Sequence, residues 1–213
     1  MNNNLTQNTC KLLLCFSVRS AFYVAGLLFL ASCQSGRQTT VSINDSARVT
    51  KQLSEHQYVE RLAIAENELT NKHYNQATQS FMKLHTEYPS KAEPTANLGL
   101  ISFIQKDLNE AKNFLVESLR ISDTLPGVHN LLGLIALNEK DIKLAETHFT
   151  HALSINYRYA NAHYNLALLY EIYLQDINKA AIHYRSYLEN TNPNDEITAD
   201  WLSGLESVIQ QSK

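Results

Sequence analysis

Residues 93–119 read EPTANLGLISFIQKDLNEAKNFLVESL, and residues 127–153 read GVHNLLGLIALNEKDIKLAETHFTHAL. The two lines carry the same marks in the same places. Gly99 and Gly133 stand 34 residues apart, each inside a Leu-Gly-Leu-Ile, and Ala77, Ala111 and Ala145 keep the same interval. Ala180 follows Ala145 by 35, one residue late. A fixed period of this length marks a structure made of stacked copies of one supersecondary unit. The same marks frame YVERLAIAENELTNKHYNQATQSFMKLHTEYPSK at residues 58–91 and NAHYNLALLYEIYLQDINKAAIHYRSYL at residues 161–188.

Each unit reads as two helices. In the second unit apolar residues fall at Leu98, Ile101, Phe103 and Ile104, then at Leu108, Ala111, Leu115 and Leu119, a helical spacing. Asp107 opens the second helix with Glu110 three residues on, a pair of the capping-box kind. Asp141 and Asp176 take that place later. Small residues (Ala65, Gly99, Gly133, Ala167) stand where two helices of a hairpin approach closely, and Ala77, Ala111, Ala145 and Ala180 serve the next contact. One such unit cannot bury its apolar faces, whereas stacked neighbours can. The pattern resembles the tetratricopeptide repeat over about Tyr58 to Leu188. The family's Leu-Gly pair is met at Leu98-Gly99 and Leu132-Gly133, and more weakly at Ile64-Ala65 and Leu166-Ala167. Its later alanine is met four times, and its following aromatic by Phe81, Phe149 and Tyr184, with Leu115 departing. The late proline is clear only at Pro89. The resemblance implies an all-α solenoid of four helix-turn-helix repeats over 51–193. Residues 194–213 then hold a capping helix, with Ile197, Trp201, Leu205, Val208 and Ile209 on one stripe.

The chain has 213 residues, 44% hydrophobic and 18% charged, with six Gly and four Pro, which favours helices over a turn-rich β-fold. Its formal charge is −3 and no basic run occurs, so nucleic acid is not an expected partner. No Asp or Glu precedes Asp45, and Ala21 to Ser32 (AFYVAGLLFLAS) is uncharged and mostly apolar. Twelve residues fall short of the roughly 20 that span a bilayer, but suit the core of a secretory signal. Leu30-Ala31-Ser32-Cys33 then resembles a bacterial lipobox. That resemblance implies a cleaved signal peptide at 1–32, lipidation of Cys33, and a flexible tether over 33–50. Gln34, rather than Asp, after the cysteine implies sorting to the periplasmic face of the outer membrane. Losing Lys11 and Arg19 with the leader leaves 16 of 18 basic residues against 21 acidic, a charge of −5. Cys10 and Cys15 go with it, so no disulfide or thiolate nucleophile is expected in the mature chain.

No GxxxxGK[ST], GxGxxG, HExxH or GxSxG occurs, so an enzyme is not expected, and no cofactor is. Eight His invite a metal reading. His148 and His151 lack a third placed ligand, and His129 and His163, at equivalent places in adjacent repeats, read as packing positions, so no metal site is assigned. What remains is a surface. In the tetratricopeptide-repeat fold the first helix of each repeat lines a concave groove. By position this implies a partner-binding face of Leu100, Phe103, Asn130, Leu134, Leu137, Asn138, Asn161, Tyr164 and Leu168. Lys and Arg are missing there, so the clamp for acidic C-termini found in some co-chaperones is not expected. Tyr157, Tyr159 and Tyr173 stand off the core pattern and point equally to self-association. The expected function is that of a non-enzymatic, lipid-anchored adaptor that holds a protein or peptide in the groove and assists a pilus or secretion machine. The alternatives are an adaptor for cell-wall hydrolases or proteases, and a cytosolic regulator or co-chaperone without the leader.

Overall fold

A computed structural model describes residues 43–191 and 195–211. Among them are nine helices: α1 Ile43–Thr70, α2 Tyr74–Glu87, α3 Ala92–Ile104, α4 Leu108–Ile121, α5 Pro126–Asn138, α6 Ile142–Ile155, α7 Ala160–Leu168, α8 Ile177–Asn190 and α9 Glu196–Gln211. A π-helical turn, Leu169–Tyr173, continues α7. No strand occurs among the described residues. Cys33 and the leader expected at 1–32 lie outside them.

Two units meet within α1, Met1–Ala63 and Ile64–Lys213. In the first, the described chain is the N-terminal part of α1, where His56 and Glu60 pair at 3.4 Å one turn apart. Helix therefore begins at Ile43, inside the span 33–50 read as a flexible tether. Residues 48–57 hold Arg48, Lys51, Gln52, Leu53 and Glu55, all good helix formers, and no Gly or Pro interrupts the run.

The second unit is the repeat array. Helices pack as hairpins, α3 on α4, α5 on α6 and α7 on α8, and each hairpin packs on the next through α4 to α5 and α6 to α7. The period of 34 recurs in the turns. Lys72, Lys106, Lys140 and Gln175 each close a first helix with φ of 62°, 69°, 65° and 54°. This is the left-handed conformation that lets the next amides reach back to the helix's last carbonyls. Asp107 and Asp141 donate their N–H to Ser102 and Ala136 carbonyls five residues back. The extra residue of the fourth repeat sits in the π turn. There Leu174 N–H reaches Leu169 O, and Asp176 N–H reaches back six residues to Tyr170 O. A π turn inserts a residue without breaking the helix, so the late Ala180 still lands in the core.

Caps and close approaches follow the repeat. The side chains of Asp107, Asp141 and Asp176 each accept from an amide three residues on at 3.0 Å. The reciprocal half of a capping box is missing at the first of these, since the Glu110 carboxylate accepts from Ser102 Oγ at 2.9 Å instead. A Cβ built on Gly133 would lie 2.4 Å from Phe149 Cε1, and one on Gly99 would lie 2.8 Å from Leu115 Cγ. The hairpins thus close where the small residues stand. Ala77, Ala111, Ala145 and Ala180 are wholly buried.

The capping helix is rotated from its expected face. Thr198 and Leu202 are buried, and Leu205 and Ile209 join the terminal core with Leu166, Leu169 and Tyr184. Ile197, Trp201 and Val208 are exposed, Ile197 at 83%. Two apolar stripes lie side by side on this helix, and the one carrying Leu202 is buried.

Candidate protein-binding face

The inner curve follows from the packing. α3 touches α5 and α5 touches α7, while the second helices of neighbouring repeats come less close to one another. The first helices therefore line the inside of the array, as expected.

The residues assigned to that face divide by exposure. Leu100 and Asn130 are buried, at 2% and 3% exposure, so they build the floor and offer little to a ligand. Asn130 Oδ1 accepts from Asn165 Nδ2 at 2.8 Å across α5 and α7. This buried amide bond ties two repeats together, which is why Asn130 is spent on packing. Phe103, Leu134, Leu137, Asn161, Tyr164 and Leu168 are half-buried. Tyr164 lies among aromatics, its ring 5.0 Å from that of Tyr187 and edge-on to that of Tyr184 at 6.0 Å. Asn138 is exposed and lines a polar cleft of about 530 Å³ with Gln105, Lys106, Asp107 and Glu139. That cleft runs between the hairpin turns of the second and third repeats, so Asn138 belongs to the turn edge.

Polar groups frame the apolar row. On α3, Asn97 Nδ2 donates to Glu93 O at 3.0 Å, and its Oδ1 is buried without a partner among the described residues. Burial raises the Glu66 carboxyl above the ordinary carboxylate range, and the nearby Glu93 charge adds to the rise. At the other end Glu171 accepts from Trp201 Nε1 at 3.1 and 3.0 Å and from the Tyr184 hydroxyl at 2.7 Å. Burial first, and this bond second, push the Tyr184 phenol above its usual range. Glu171 is thus a strut that fastens the capping helix to α8. By position in the repeat Glu171 reads as a residue of the inner face; its role as a strut is not legible in the sequence, because its partners lie 13 and 30 residues away.

The tyrosines divide as well. Tyr170 and Tyr184 are buried and Tyr187 half-buried, whereas Tyr157 and Tyr173 are 69% and 51% exposed and Tyr159 is half-buried. His129 and His163 do not stack on each other; each meets a histidine on the second helix of its own repeat. No group of three or more His, Cys, Asp or Glu able to hold a metal occurs among the described residues.

Residues 126–159 match the tetratricopeptide-repeat family. No curated protein matches the chain. Solved structures share its fold. The Pseudomonas aeruginosa protein pilF is similar at 16% identity and a TM-score of 0.63, over 74% of this chain and 71% of that one. YrrB, described as a TPR protein with an unusual peptide-binding site, is similar at 16% identity and 0.53, over 77% and 84%. MamA is similar at 20% identity and 0.54, over 69% and 85%. With one repeat matched to the tetratricopeptide-repeat family in sequence and the same two-helix unit stacked on either side of it, the array has the tetratricopeptide-repeat fold.

Proposed function

We propose that the chain is a non-enzymatic adaptor whose inner curve holds a segment of a partner protein. The observation that carries this reading is the row of half-buried apolar side chains, Phe103, Leu134, Leu137, Tyr164 and Leu168, shared by three first helices. Apolar area left partly wet by a rigid scaffold gains free energy when a partner covers it, at roughly 25 cal/mol per Å². The row crosses three repeats, so its ligand runs along the array rather than sitting in one pocket. Lipidation at Cys33 places the adaptor on the periplasmic face of a bacterial outer membrane, and its partner is then a component of an envelope machine such as a pilus or secretion apparatus. The likeness to pilF supports this reading at the level of fold.

Crosslinking and pull-down from membranes test it. Phe103→Ala should weaken a captured partner by about 2 kcal/mol if Phe103 is a hot spot, with melting little changed. Lys112→Ala, which removes an exposed pair to Glu139 at 2.8 Å, should leave capture intact. Normal capture by Phe103→Ala, with loss on changing the exposed Tyr157 or Tyr173, would move the working face. Cys33→Ala should abolish fatty-acid labelling and membrane recovery, and equal labelling of both proteins would remove the lipid anchor.

A further inference from the structure

The third and fourth repeats carry the same pair of imidazoles. His129 on α5 faces His148 on α6 with Nδ1 to Nδ1 at 3.4 Å, and His163 on α7 faces His183 on α8 with Nδ1 to Nδ1 at 3.0 Å. His129 to His163 and His148 to His183 are steps of 34 and 35 residues, so the pairs are equivalent by repeat. Each joins the first helix of a hairpin to the second.

Hydrogen-bond chemistry fixes the protons. His163 Nε2 lies 2.9 Å from the Tyr157 carbonyl, which only accepts, so the proton is on Nε2. Its bare Nδ1 then accepts from His183 Nδ1–H. In the other pair His129 Nε2 is buried without a partner among the described residues. A bare nitrogen there costs less than an orphaned N–H, so His129 donates from Nδ1 to the bare Nδ1 of His148. Each pair thus works with both rings neutral. A proton added to His129 goes to a buried nitrogen with no acceptor among the described residues. A proton added to His148 or His163 sets two N–H groups face to face.

The surroundings add to the cost. His129 meets His151 on α6, ring centres 4.1 Å apart, with Asp123 opposing. Lys112 of α4 acts on His148. His183 has Tyr170 stacked at 5.6 Å, and Lys179 lies over that same ring. Tyr170 in turn donates to Glu146 of α6 at 2.5 Å. Arg185 of α8 pairs with Glu206 of α9, and the Glu171 and Asp195 carboxylates between these helices accept from Tyr184 and Tyr187. Burial, with the neighbouring imidazoles second, lowers His129 and His183 from 6.5 to about 4, and the same causes lower His148.

We propose that the two imidazole pairs are a pH-sensitive latch, closing the hairpins of the third and fourth repeats while every ring is neutral and loosening them when protons are added. Unfolded imidazoles take protons near 6.5 and folded His129 and His183 only near 4, so the stability these two contribute is present above about 6.5 and is lost as pH falls towards 4. The first two repeats lack the pairs. Their His85 faces Glu117 at 3.7 Å, a contact that protonation strengthens. The latch stands on this geometry and not on groove binding.

Amide hydrogen exchange and imidazole NMR titration of the full chain test it. Helices α5 to α8 should lose protection roughly tenfold more than α2 to α4 between about pH 7.5 and pH 5, after correction for intrinsic rates. His129 and His183 should titrate below about 5. The doubly substituted His148→Gln, His183→Gln chain, with neutral amides in place of two rings, should lose more than about half of the pH effect. Titration of His129 and His183 near 6.5, uniform loosening of all repeats, or an unchanged pH effect in the variant would each overturn the latch. The titration reads the wild-type chain alone, so it decides the matter even if the variant fails to fold.

Discussion

At Gly133 the hydrogen in place of a side chain decides whether a hairpin closes. An alanine would gain about 1 kcal/mol of helix propensity. Its Cβ would also meet three atoms of the Phe149 ring at 2.4 to 2.9 Å, and that ring is wholly buried with nowhere to go. Overpacking of this kind costs about 1–3 kcal/mol or more, so it wins, and Gly133→Ala should lower stability by about 2 kcal/mol. At Gly99 the obstacle is the Leu115 side chain, which has other rotamers, and Ala111 O stands at 3.2 Å. Gly99→Ala should therefore fall within about 1 kcal/mol of wild type, where propensity and clash nearly cancel. Urea unfolding of both variants checks this, and equal losses would show that the bulk of the facing residue does not set the cost. The close approach was legible in the sequence because the small residue recurs with the period. The floor role of Asn130 was not, because its partner Asn165 lies in the next repeat, 35 residues on.

Among the elements, the fourth repeat's first helix shows how a period of 34 becomes 35 without harm. The π turn Leu169–Tyr173 takes up the extra residue and leaves Ile172, Tyr173 and Leu174 exposed, at 55%, 51% and 44%. In the second and third repeats the same turn carries Gln105-Lys106 and Glu139-Lys140, polar residues that are exposed. Removing Tyr173 should convert the bulge to regular α-helix, with the Asp176 cap and the Ala180 contact keeping their places. Helical circular dichroism and melting should change by no more than about 5 °C, a shift worth roughly 1–2 kcal/mol at this size. Removing Asn138 from α5, which has no spare residue, should lower melting further. A larger loss on removing Tyr173 would mean that the bulge is needed for packing. The late alanine was visible in the sequence, but how the chain absorbs it was not, since a π turn has no residue signature. The face of α9 was misread for a related reason. Ile197, Trp201 and Val208 recur as regularly as Thr198, Leu202, Leu205 and Ile209, and only docking on α8 decides between two helical stripes.

Over the whole array, stability is carried by neighbours, because each repeat touches only the next. The period, the fold and the presence of a cap were therefore readable from one sequence, whereas the composition of the inner curve depended on which first-helix residues the next repeat covers. The end of such an array is its exposed flank. α9 closes it by burying Leu202 and packing Leu205 and Ile209 on the core that includes Leu166, Leu169 and Tyr184. Glu171 then fastens Trp201 to the same end. Three apolar side chains, at about 1.5–3 kcal/mol each for full burial, make roughly 4–6 kcal/mol once partial exposure is allowed for. That is a large share of the stability of an ordinary domain. A chain ending at Thr191 should therefore melt roughly 10 °C or more below the full protein, with the loss of protection greatest in α8. Trp201 is the single tryptophan, so its fluorescence reports on this end alone. In the full chain Glu171→Gln should shift that emission while costing far less stability than the truncation, because the carboxylate positions the helix and the apolar side chains hold it. A truncated chain that melts with the full protein would show that α9 adds nothing to the array, and the capping role would be lost with it.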